Sequence, residues 1–282
     1  SPTYAGQEKD KVSLSQDFFN EITKVEVSKS DITTGEELPG STLAVYPVVD
    51  GEIQKGEAFD TWISTDKPHI IQGLEPGKEY ALVELNPTTG YTTAETIYFT
   101  VEDTGEVQKV EMKNKLTETV VVKYDEDMNH VVGATMAIYP LDENNEPILG
   151  ECFETWVTDG KAHTIYGLEI NQKYLIRETV VPFDNGYVTA KDTIITVEDS
   201  LEPQYVYIED EFTHIEVNKV DIETKDNLAG ATLALYPILD NGEVDYGACF
   251  ETWLTTDKTH TIDRIPVGKY LLMELSTIDG YT

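Results

Sequence analysis

One pattern of about 95 residues occurs three times in this 282-residue chain. Its clearest markers are a lysine that ends a short apolar stretch and a tryptophan further along the chain. In chain order these markers are Lys29 and Trp62, Lys123 and Trp156, and Lys219 and Trp253. The lysines lie 94 and 96 residues apart, which is the length of a whole domain and exceeds most solenoid repeats. The chain is therefore predicted to contain three copies of one module.

The modules are predicted to be all-β. Short alternating stretches are separated by turn residues, and no helical period is present. In the first module the predicted strands lie near 22–29, 41–48, 57–64, 69–74, 79–86, 95–102 and 107–114. Seven short strands predict tandem Ig-like β-sandwiches in which the tryptophans anchor the cores. The predicted modules span 22–115, 116–211 and 212–282, and residues 1–21 are predicted to be the final strand remnant of a preceding module.

A glutamate recurs at a fixed distance after each marker lysine. Glu84, Glu178 and Glu274 each follow their lysine by 55 residues. Each glutamate and each lysine has the same strand parity as apolar neighbours. Because side chains alternate between the two faces of a strand, both ionisable groups are predicted to point into the core. A buried charge without a partner costs several kcal/mol, so the pattern requires a chemical explanation.

An amide or carboxyl side chain is the third member of the set. Asn114 and Asp210 share strand parity with apolar residues, and each lies nine residues before the next marker lysine. The first, fifth and last strands of a module are therefore predicted to aim Lys, Glu and Asn or Asp at one point.

Two interpretations of this triad are open. One is a buried salt bridge with a helper amide, although such ion pairs are often no better than apolar packing. The other is a covalent reaction. Burial lowers the pKa of the lysine and raises the pKa of the glutamate, so a neutral amine could attack the Asn or Asp side chain while a protonated glutamate hydrogen-bonds its carbonyl and shuttles protons. The product would be an amide, with ammonia or water released.

The motifs resemble a known family. The pattern K-D-x-x-(T)G-x-x-L-x-G-A-T, then TW-x-T, then G-L-x-P-G-K-Y-x-L-x-E and G-Y-T is similar to Cna-B-type (SpaA-type) pilin and adhesin domains, over residues 22–282. The resemblance implies prealbumin-like or inverse Ig-like sandwiches on Gram-positive cell surfaces, with spontaneous isopeptide bonds. It implies crosslinks between Lys29 and Asn114 and between Lys123 and Asp210. The catalytic residues would be Glu84, Glu178 and, with Lys219 in the third module, Glu274.

The third module is expected to lack its last strands, because its Asn or Asp would fall beyond residue 282. Asn20 meanwhile lies nine residues before Lys29 and shares parity with Val12, Leu14 and Phe18. The simpler explanation, which we prefer, is a fragment of a longer array. The alternative is head-to-tail strand donation between chains, with Lys219 bonding Asn20 of another chain.

The composition of the chain narrows the classes of partner that it is expected to bind. The net charge of −33 disfavours nucleic acid and anionic membranes, and no apolar run is long enough to cross a bilayer. Cys152 and Cys249 fall where the first module has Ala58, which predicts small core residues too far apart to bridge.

Other candidate sites are set aside. His69, His163 and His260 occur once per module, which predicts strand-start surface residues and no metal cluster. The acidic stretch KYDEDMNH at 123–130 occurs in one module and predicts a solvated loop in preference to a Ca²⁺ site. No cofactor motif is present.

The function predicted from these observations is structural. The chain is expected to be the stalk or repeat region of a bacterial cell-surface adhesin or pilus-like protein, anchored through a part outside this sequence. Its partners would be neighbouring modules of the same array. Each triad would react once, so the chain is not predicted to be an enzyme with turnover. The alternative is a set of modules that bind a host glycan, a host protein or Ca²⁺.

Overall fold

Twenty β-strands and one short 3₁₀ helix, Leu149–Glu151, form the regular structure of the computed structural model, which describes residues 20–182 and 185–281. These residues fall into two compact units. The first contains residues 20–88 and 93–114, and the second contains residues 89–92 and 115–281. Each unit is built from strand pairs that enclose an apolar core, as the repeat pattern predicts.

The first unit contains eight strands. They are β1 (Lys24–Asp31), β2 (Thr42–Val49), β3 (Glu52–Ile53), β4 (Asp60–Ile63), β5 (His69–Gln72), β6 (Glu79–Asn86), β7 (Ile97–Thr100) and β8 (Val107–Asn114). One sheet has the order β5-β1-β8, and the other has the order β3-β2-β6-β7 with β4 paired to β2. All seven predicted strands of this module are present, and the two-residue strand β3 is an addition.

The first and last strands of this unit are neighbours. β1 pairs with β8 in parallel, so that Lys29 lies opposite Met112 and Asp31 opposite Asn114. The sandwich core between the two sheets includes the fully buried Leu43 and Leu82. Lys29 and Asn114 therefore lie in one sheet, and the strand that carries the glutamate lies in the other.

A bulge follows the glutamate on β6. The pairing of β2 with β6 shifts between Thr42, opposite Asn86, and Leu43, opposite Glu84. One extra residue, Leu85, is left on β6, and its side chain is exposed. Bulges of this kind re-aim side chains next to functional sites. The same shift occurs beside the other two glutamates in the second unit.

Two further sandwiches lie in the second unit. The strands of the first are β9 (Glu118–Asp125), β10 (Val132–Pro140), β11 (Glu154–Asp159), β12 (His163–Tyr166), β13 (Lys173–Val180), β14 (Thr193–Thr196) and β15 (Gln204–Asp210). Their sheet orders are β11-β10-β13-β14 and β12-β9-β15. β15 runs parallel to β9, as β8 does to β1.

The third module has five strands among the described residues. They are β16 (His214–Val217), β17 (Thr232–Ile238), β18 (Glu251–Leu254), β19 (His260–Asp263) and β20 (Lys269–Ser276), in the orders β16-β19 and β18-β17-β20. Counterparts of β14 and β15 do not occur in residues 213–281, as the spacing predicts. The strand remnant predicted for residues 1–21 lies almost entirely outside the described residues. Asn20 itself is exposed and outside any strand.

The tryptophans pack as predicted, and the cysteines do not. Trp156 and Trp253 are buried and Trp62 is partly buried against its core. Cys152 and Cys249 are free and exposed, so the prediction of core packing was wrong. Both lie in the loop before a strand, where the thiol reaches a nearby threonine hydroxyl instead of the space between the sheets.

Candidate functional site

The first triad lies between the two sheets of the first unit. Lys29 extends from β1, Glu84 from β6, and Asn114 ends β8. All three residues are buried, with 2 %, 6 % and 2 % of their surface exposed. The strand parity that placed them inward in the sequence is therefore confirmed.

The three side chains contact one another directly. Lys29 Nζ lies 2.8 Å from Glu84 Oε1 and donates a hydrogen bond to Asn114 Oδ1. Asn114 Nδ2 donates to Glu84 Oε1 at 3.0 Å and to Oε2 at 2.9 Å. The amide carbonyl thus faces the lysine, and the amide nitrogen faces the glutamate. The prediction that Glu84 donates a hydrogen bond to the Asn114 carbonyl was wrong. The Glu84 carboxylate instead accepts hydrogen bonds from Asn114 Nδ2.

A backbone amide holds the glutamate in place. Ala94 N–H donates to Glu84 Oε2 at 2.6 Å, and Ala190 N–H donates to Glu178 Oε2 at 2.6 Å. Sequence reasoning did not find these donors. The available signal was an alanine four residues after the glycine of each GY turn, at Gly90 and Gly186.

Burial also changes the acid–base balance of the lysine. Removal from water lowers the pKa of Lys29 below its usual range, and the Glu84 carboxylate opposes this with a smaller effect. A lowered pKa increases the fraction of neutral amine, which is the nucleophilic form.

The second triad repeats this arrangement with a carboxyl in place of the amide. Lys123 donates to Asp210 Oδ1, and its Nζ lies 4.0 Å from Glu178 Oε1. The side chains of Glu178 and Asp210 are fully buried. The three elements that carry them are β9, β13 and β15, the counterparts of β1, β6 and β8.

Two acceptor atoms of this triad have no donor. Glu178 Oε1 and Asp210 Oδ2 are buried without a hydrogen-bond partner in the part of the chain that the structure describes. Where Asn114 offers an N–H, Asp210 offers only oxygen, so one of the two acids must carry a proton to satisfy the other. Burial, helped by the nearby Asp210, raises the pKa of Glu178 to about 7. The Ala190 N–H and the Lys123 ammonium act in the opposite direction and offset part of this rise. Burial also raises the pKa of Asp210, although Lys123 opposes it.

The third module brings together only two members. Lys219 Nζ lies 2.8 Å from Glu274 Oε2, and their side chains are 25 % and 29 % exposed. The equivalent side chains of the first two triads are at most 2 % exposed. Lys219 and Glu274 therefore pair as predicted, but their side chains are more exposed than those of the equivalent Lys–Glu pairs in modules 1 and 2.

The recurring histidines have a more specific role than the predicted surface position. His69, His163 and His260 do begin strands, and each stacks on its module's tryptophan at 4.3, 4.5 and 4.4 Å between ring centroids. Each also shares a hydrogen bond with an acidic residue at the start of the tryptophan's strand. Because the histidine and the tryptophan lie on different sheets, the stack joins the open edges of the sandwich.

The acidic stretch after Lys123 is only partly solvated, which corrects the prediction of a free loop. Asp125 is buried and accepts a hydrogen bond from the Tyr187 hydroxyl at 3.1 Å. Asp127 forms an ion pair with Arg264, whose guanidinium lies 3.8 Å from the centroid of the Phe212 ring. Within residues 20–182 and 185–281, no group of His, Cys, Asp and Glu side chains is arranged to hold a metal ion. The described residues also contain no helix that is long and apolar enough to span a membrane.

Solved structures with similar folds include the following three, two of which are pilins. The Bacillus anthracis TIE protein is 22% identical over 93% of this chain and 46% of its own length, with a TM-score of 0.42. The streptococcal ancillary pilin is 16% identical over 93% of this chain and 92% of its own, with a TM-score of 0.40. The shaft pilin SpaA of Lactobacillus rhamnosus GG, as its D295N mutant, is 18% identical over 69% and 99%, with a TM-score of 0.33. Values this low carry no information on function.

Sequence comparison gives a firmer result. No curated protein sequence matches the chain significantly. The profile of the SpaA prealbumin-like fold domain matches residues 23–116 and 213–282, which together exceed half of the chain. These ranges contain the first and third of the repeated modules, and the strands there form the all-β sandwiches that the motifs predict. The chain belongs to the SpaA prealbumin-like fold domain family.

Proposed function

We propose that the chain is a stalk segment whose modules close themselves with internal amide bonds. Lys29 would join Asn114, and Lys123 would join Asp210, with Glu84 and Glu178 moving the protons. The observation that supports this most strongly is the contact of a buried lysine, glutamate and Asn or Asp in two modules with the same 55-residue lysine-to-glutamate spacing. A buried salt bridge alone gives no reason for the third member or for its position against the amine.

The first reaction follows from the arrangement of donors and acceptors. A proton moves from Lys29 Nζ to Glu84, across 2.8 Å, which neutralises both groups in the apolar core. The free amine attacks Cγ of Asn114 while Nζ lies beside Oδ1. Glu84 then gives this proton to Nδ2, the nitrogen that it already contacts, and takes up the second proton that Nζ loses as the amide forms. The Cγ–Nδ2 bond breaks, the Nζ–Cγ bond remains, and one ammonia leaves.

The second reaction differs in its leaving group. Lys123 attacks Cγ of Asp210, and one carboxyl oxygen leaves as water. The raised pKa of Glu178, about 7, keeps a proton available at neutral pH for that oxygen. Glu178 and Asp210 share this proton before the reaction, so the site needs no outside acid.

The position of the bonds suits a protein that is pulled from its ends. Because β1 and β8 are parallel neighbours, tension on the first and last strands shears the ladder between them. A bond from Lys29 to Asn114 spans 85 residues of chain and carries the force directly from one strand to the other. The residues between them would stay folded under load. The same holds for the segment between Lys123 and Asp210, which lie 87 residues apart.

Family membership and this geometry together support a location on the outside of a bacterial cell. In this proposal the chain is part of an adhesin or pilus-like array, its partners are neighbouring modules, and a part of the protein outside this sequence attaches it to the cell wall. Each triad reacts once, so the chemistry builds the stalk and does not turn over a substrate.

Single-molecule stretching tests the mechanical proposal. The chain is held at residues near its two ends, and the extension on unfolding is measured for the natural sequence and for Glu84→Gln. A crosslinked module 1 contributes almost no extension. Glu84→Gln should add the contour length of the released segment, roughly 300 Å at about 3.5 Å per residue. Glu79→Gln, an exposed acid on the same strand β6, is the matched control. A full extension of modules 1 and 2 in the natural sequence would contradict the proposal.

A further inference from the structure

We propose that Asp125 is a positioning residue for the crosslink of module 2. Its buried negative charge holds the shared proton on the Glu178–Asp210 pair, so that Lys123 attacks a carboxylic acid and not a carboxylate. The inference rests on the reaction proposed above for Lys123 and Asp210. It adds a fourth side chain, outside the triad, that acts through Asp210.

Asp125 lies directly opposite Asp210 in the parallel ladder of β9 and β15. Neighbouring strands of a sheet lie about 4.8 Å apart, and paired residues point to the same face. Both side chains point inward, since the two residues are 1 % and 0 % exposed. The two carboxyl groups are therefore neighbours in the core, and like charges in opposite positions destabilise each other.

The surroundings of Asp125 keep its carboxyl group ionised. Oδ1 accepts hydrogen bonds from the backbone N–H groups of Asp127 at 3.0 Å and Asn129 at 2.9 Å. Oδ2 accepts a hydrogen bond from the Tyr187 hydroxyl at 3.1 Å. Burial opposes ionisation, but these hydrogen bonds together outweigh it and hold the pKa of Asp125 below its ordinary value. Asp125 is therefore a fixed negative charge at neutral pH.

A fixed negative charge beside the acid pair makes the loss of the shared proton less favourable. Burial raises the pKa of Asp210, and the charge of Asp125 adds to this rise, whereas Lys123 and Glu178 oppose it. Because Glu178 and Asp210 interact, the proton belongs to the pair and not to either residue alone. Without that proton, three buried carboxylates would face one ammonium group. Asp125 thus raises the pH at which the pair loses its proton.

The groups that face the acid pair come from several elements. Among the described residues, the titratable and charged side chains around Asp210 are Lys123 and Asp125 on β9, Glu178 on β13, and Tyr187 between β13 and β14. Burial and the hydrogen bond to Asp125 raise the pKa of Tyr187, and the nearby Arg264 opposes this rise. Tyr187 therefore stays a neutral donor, and Lys123 is the cation of the group.

Module 1 has the same aspartate opposite an amide. Asp31 is paired with Asn114 in the ladder of β1 and β8. Its Oδ1 accepts hydrogen bonds from the backbone N–H groups of Thr33 and Thr34, so this aspartate shapes the turn after β1. An amide has no acid proton to hold. The electrostatic role is therefore confined to module 2, whereas the role in the turn is common to both modules.

The proton that Asp125 retains is used in the reaction. The Lys123 ammonium loses two protons as the amide forms. One of them joins the proton already on a carboxyl oxygen of Asp210, which leaves as water, and the other remains on Glu178. The Nζ–Cγ bond forms and the Cγ–O bond breaks. Without the retained proton both acids would start as carboxylates, and a carboxylate carbon is a poor target for an amine.

The pH dependence of the second crosslink tests this role, with Asp125→Asn as the variant. Asparagine keeps the Oδ1 acceptor that holds the turn and removes the charge. The natural sequence and the variant are refolded from chains that have not yet crosslinked, at pH values from 5 to 8. Peptide mapping at successive times gives the rate at which Lys123 becomes joined to Asp210.

The expected result is a rate difference that grows with pH. Removal of a neighbouring negative charge should lower the pKa of the acid pair by roughly one unit. The rate in the natural sequence divided by the rate in Asp125→Asn should therefore rise from near one at pH 5 to about tenfold at pH 8. A role confined to the turn would slow the reaction by the same factor at every pH.

Two further variants separate the effect of charge from an effect on folding. Asp142→Asn removes an exposed acid of module 2 that also holds a turn, through the N–H groups of Asn144 and Glu146. It should leave the rate of the second crosslink unchanged at every pH. Asp210→Asn replaces the acid by an amide that has no proton to hold. In that background, the addition of Asp125→Asn should not change how the rate of ammonia loss depends on pH.

The outcomes separate this inference from the proposed function. Equal slowing by Asp125→Asn at pH 5 and pH 8, or the same slowing in the Asp210→Asn background, would overturn the inference, because Asp125 would then only support the turn. An unchanged rate at every pH would overturn it as well, and either result would leave the crosslinks standing. Absence of the Lys123–Asp210 bond from the natural sequence at every pH would instead overturn the proposed function of this triad, and the inference with it.

Discussion

Lys29 and Glu84 come from opposite sheets of the first sandwich, and their charged groups meet 2.8 Å apart in a core from which water is excluded. Asn114, at the end of the strand beside Lys29, closes the third side and presents its carbonyl to the amine and its nitrogen to the carboxylate. Each atom that must lose or gain a proton therefore already touches the atom that supplies or receives it. This relationship leads to the following predictions.

Glu84→Gln is expected to prevent the first crosslink, because an amide cannot accept the lysine proton and return it to Asn114. The intact mass should rise by about one ammonia relative to the natural sequence, beyond the small change of the substitution. Loss of a crosslink over a loop of this size should lower the free energy of unfolding of module 1 by roughly 4.5 kcal/mol. For a domain of this length that corresponds to about 20–35 °C in Tm. Glu79→Gln should change neither quantity.

Ala94→Pro is expected to slow the same reaction by removing the N–H that holds Glu84 Oε2. Ala94→Gly keeps the donor and should react normally. Each variant is refolded from chains that have not yet crosslinked. The fraction of crosslinked molecules, measured by mass at successive times, then distinguishes the two variants. Equal rates would show that the backbone donor is not needed to position the glutamate.

Asp210→Asn is expected to change the leaving group without removing the second crosslink. The new side chain gives the second triad the donor that the first triad has, so Glu178 Oε1 gains a partner. The mass loss assigned to module 2 should change from one water to one ammonia. Asp210→Ala is the matched negative control and should show no loss in that module. Persistence of a water loss in Asp210→Asn would place the reaction at another residue.

In the variant Lys123→Met, the free energy of unfolding of module 2 is expected to fall as pH rises. The pKa of Glu178 is about 7 in the folded chain, above its ordinary value of about 4.3, so the folded state binds the proton more tightly than the unfolded state. Stability is then highest below about pH 4.5 and falls as pH rises toward 7. Removal of the lysine charge takes away an influence that lowers the pKa of Glu178 and so strengthens this trend.

Trp156 can report this pH dependence if Trp62 and Trp253 are replaced by Phe. Urea unfolding followed by its fluorescence at pH 5 and pH 8 gives the free energy of module 2 at each pH. Lys161→Met, at an exposed lysine of the same module, is the control. Greater stability at pH 8 than at pH 5 in Lys123→Met would contradict a raised pKa for the buried acids.

The residues of the triads could be predicted from the sequence because strand parity and a fixed spacing are local properties repeated three times. Lys29, Glu84 and Asn114 each follow the alternation of their own strands, and the structure brings them together. The all-β sandwich followed from the same patterns. The domain boundaries, the isopeptide bonds and the role of residues 1–21 remain predictions.

Other parts of the site depend on pairing between distant segments, which no local pattern specifies. The amide of Ala94 reaches Glu84 because of the path of a loop, and the bulge at Leu85 depends on how β2 and β6 align. The exposure of Cys152 could not be predicted from the sequence, because the exchange of this residue for Ala58 in the first module is typical of a small core residue. The stacking of His69 on Trp62 requires the two sheet edges to meet.

The measurement that tests the central claim most directly is the intact mass of the unmodified 282-residue chain under denaturing and reducing conditions. We predict a mass below that calculated from the sequence by one ammonia and one water, with peptide mapping that joins Lys29 to Asn114 and Lys123 to Asp210. A mass equal to the calculated value would contradict the account, since both triads would then be buried ion pairs and the modules would resist force by packing and hydrogen bonding alone.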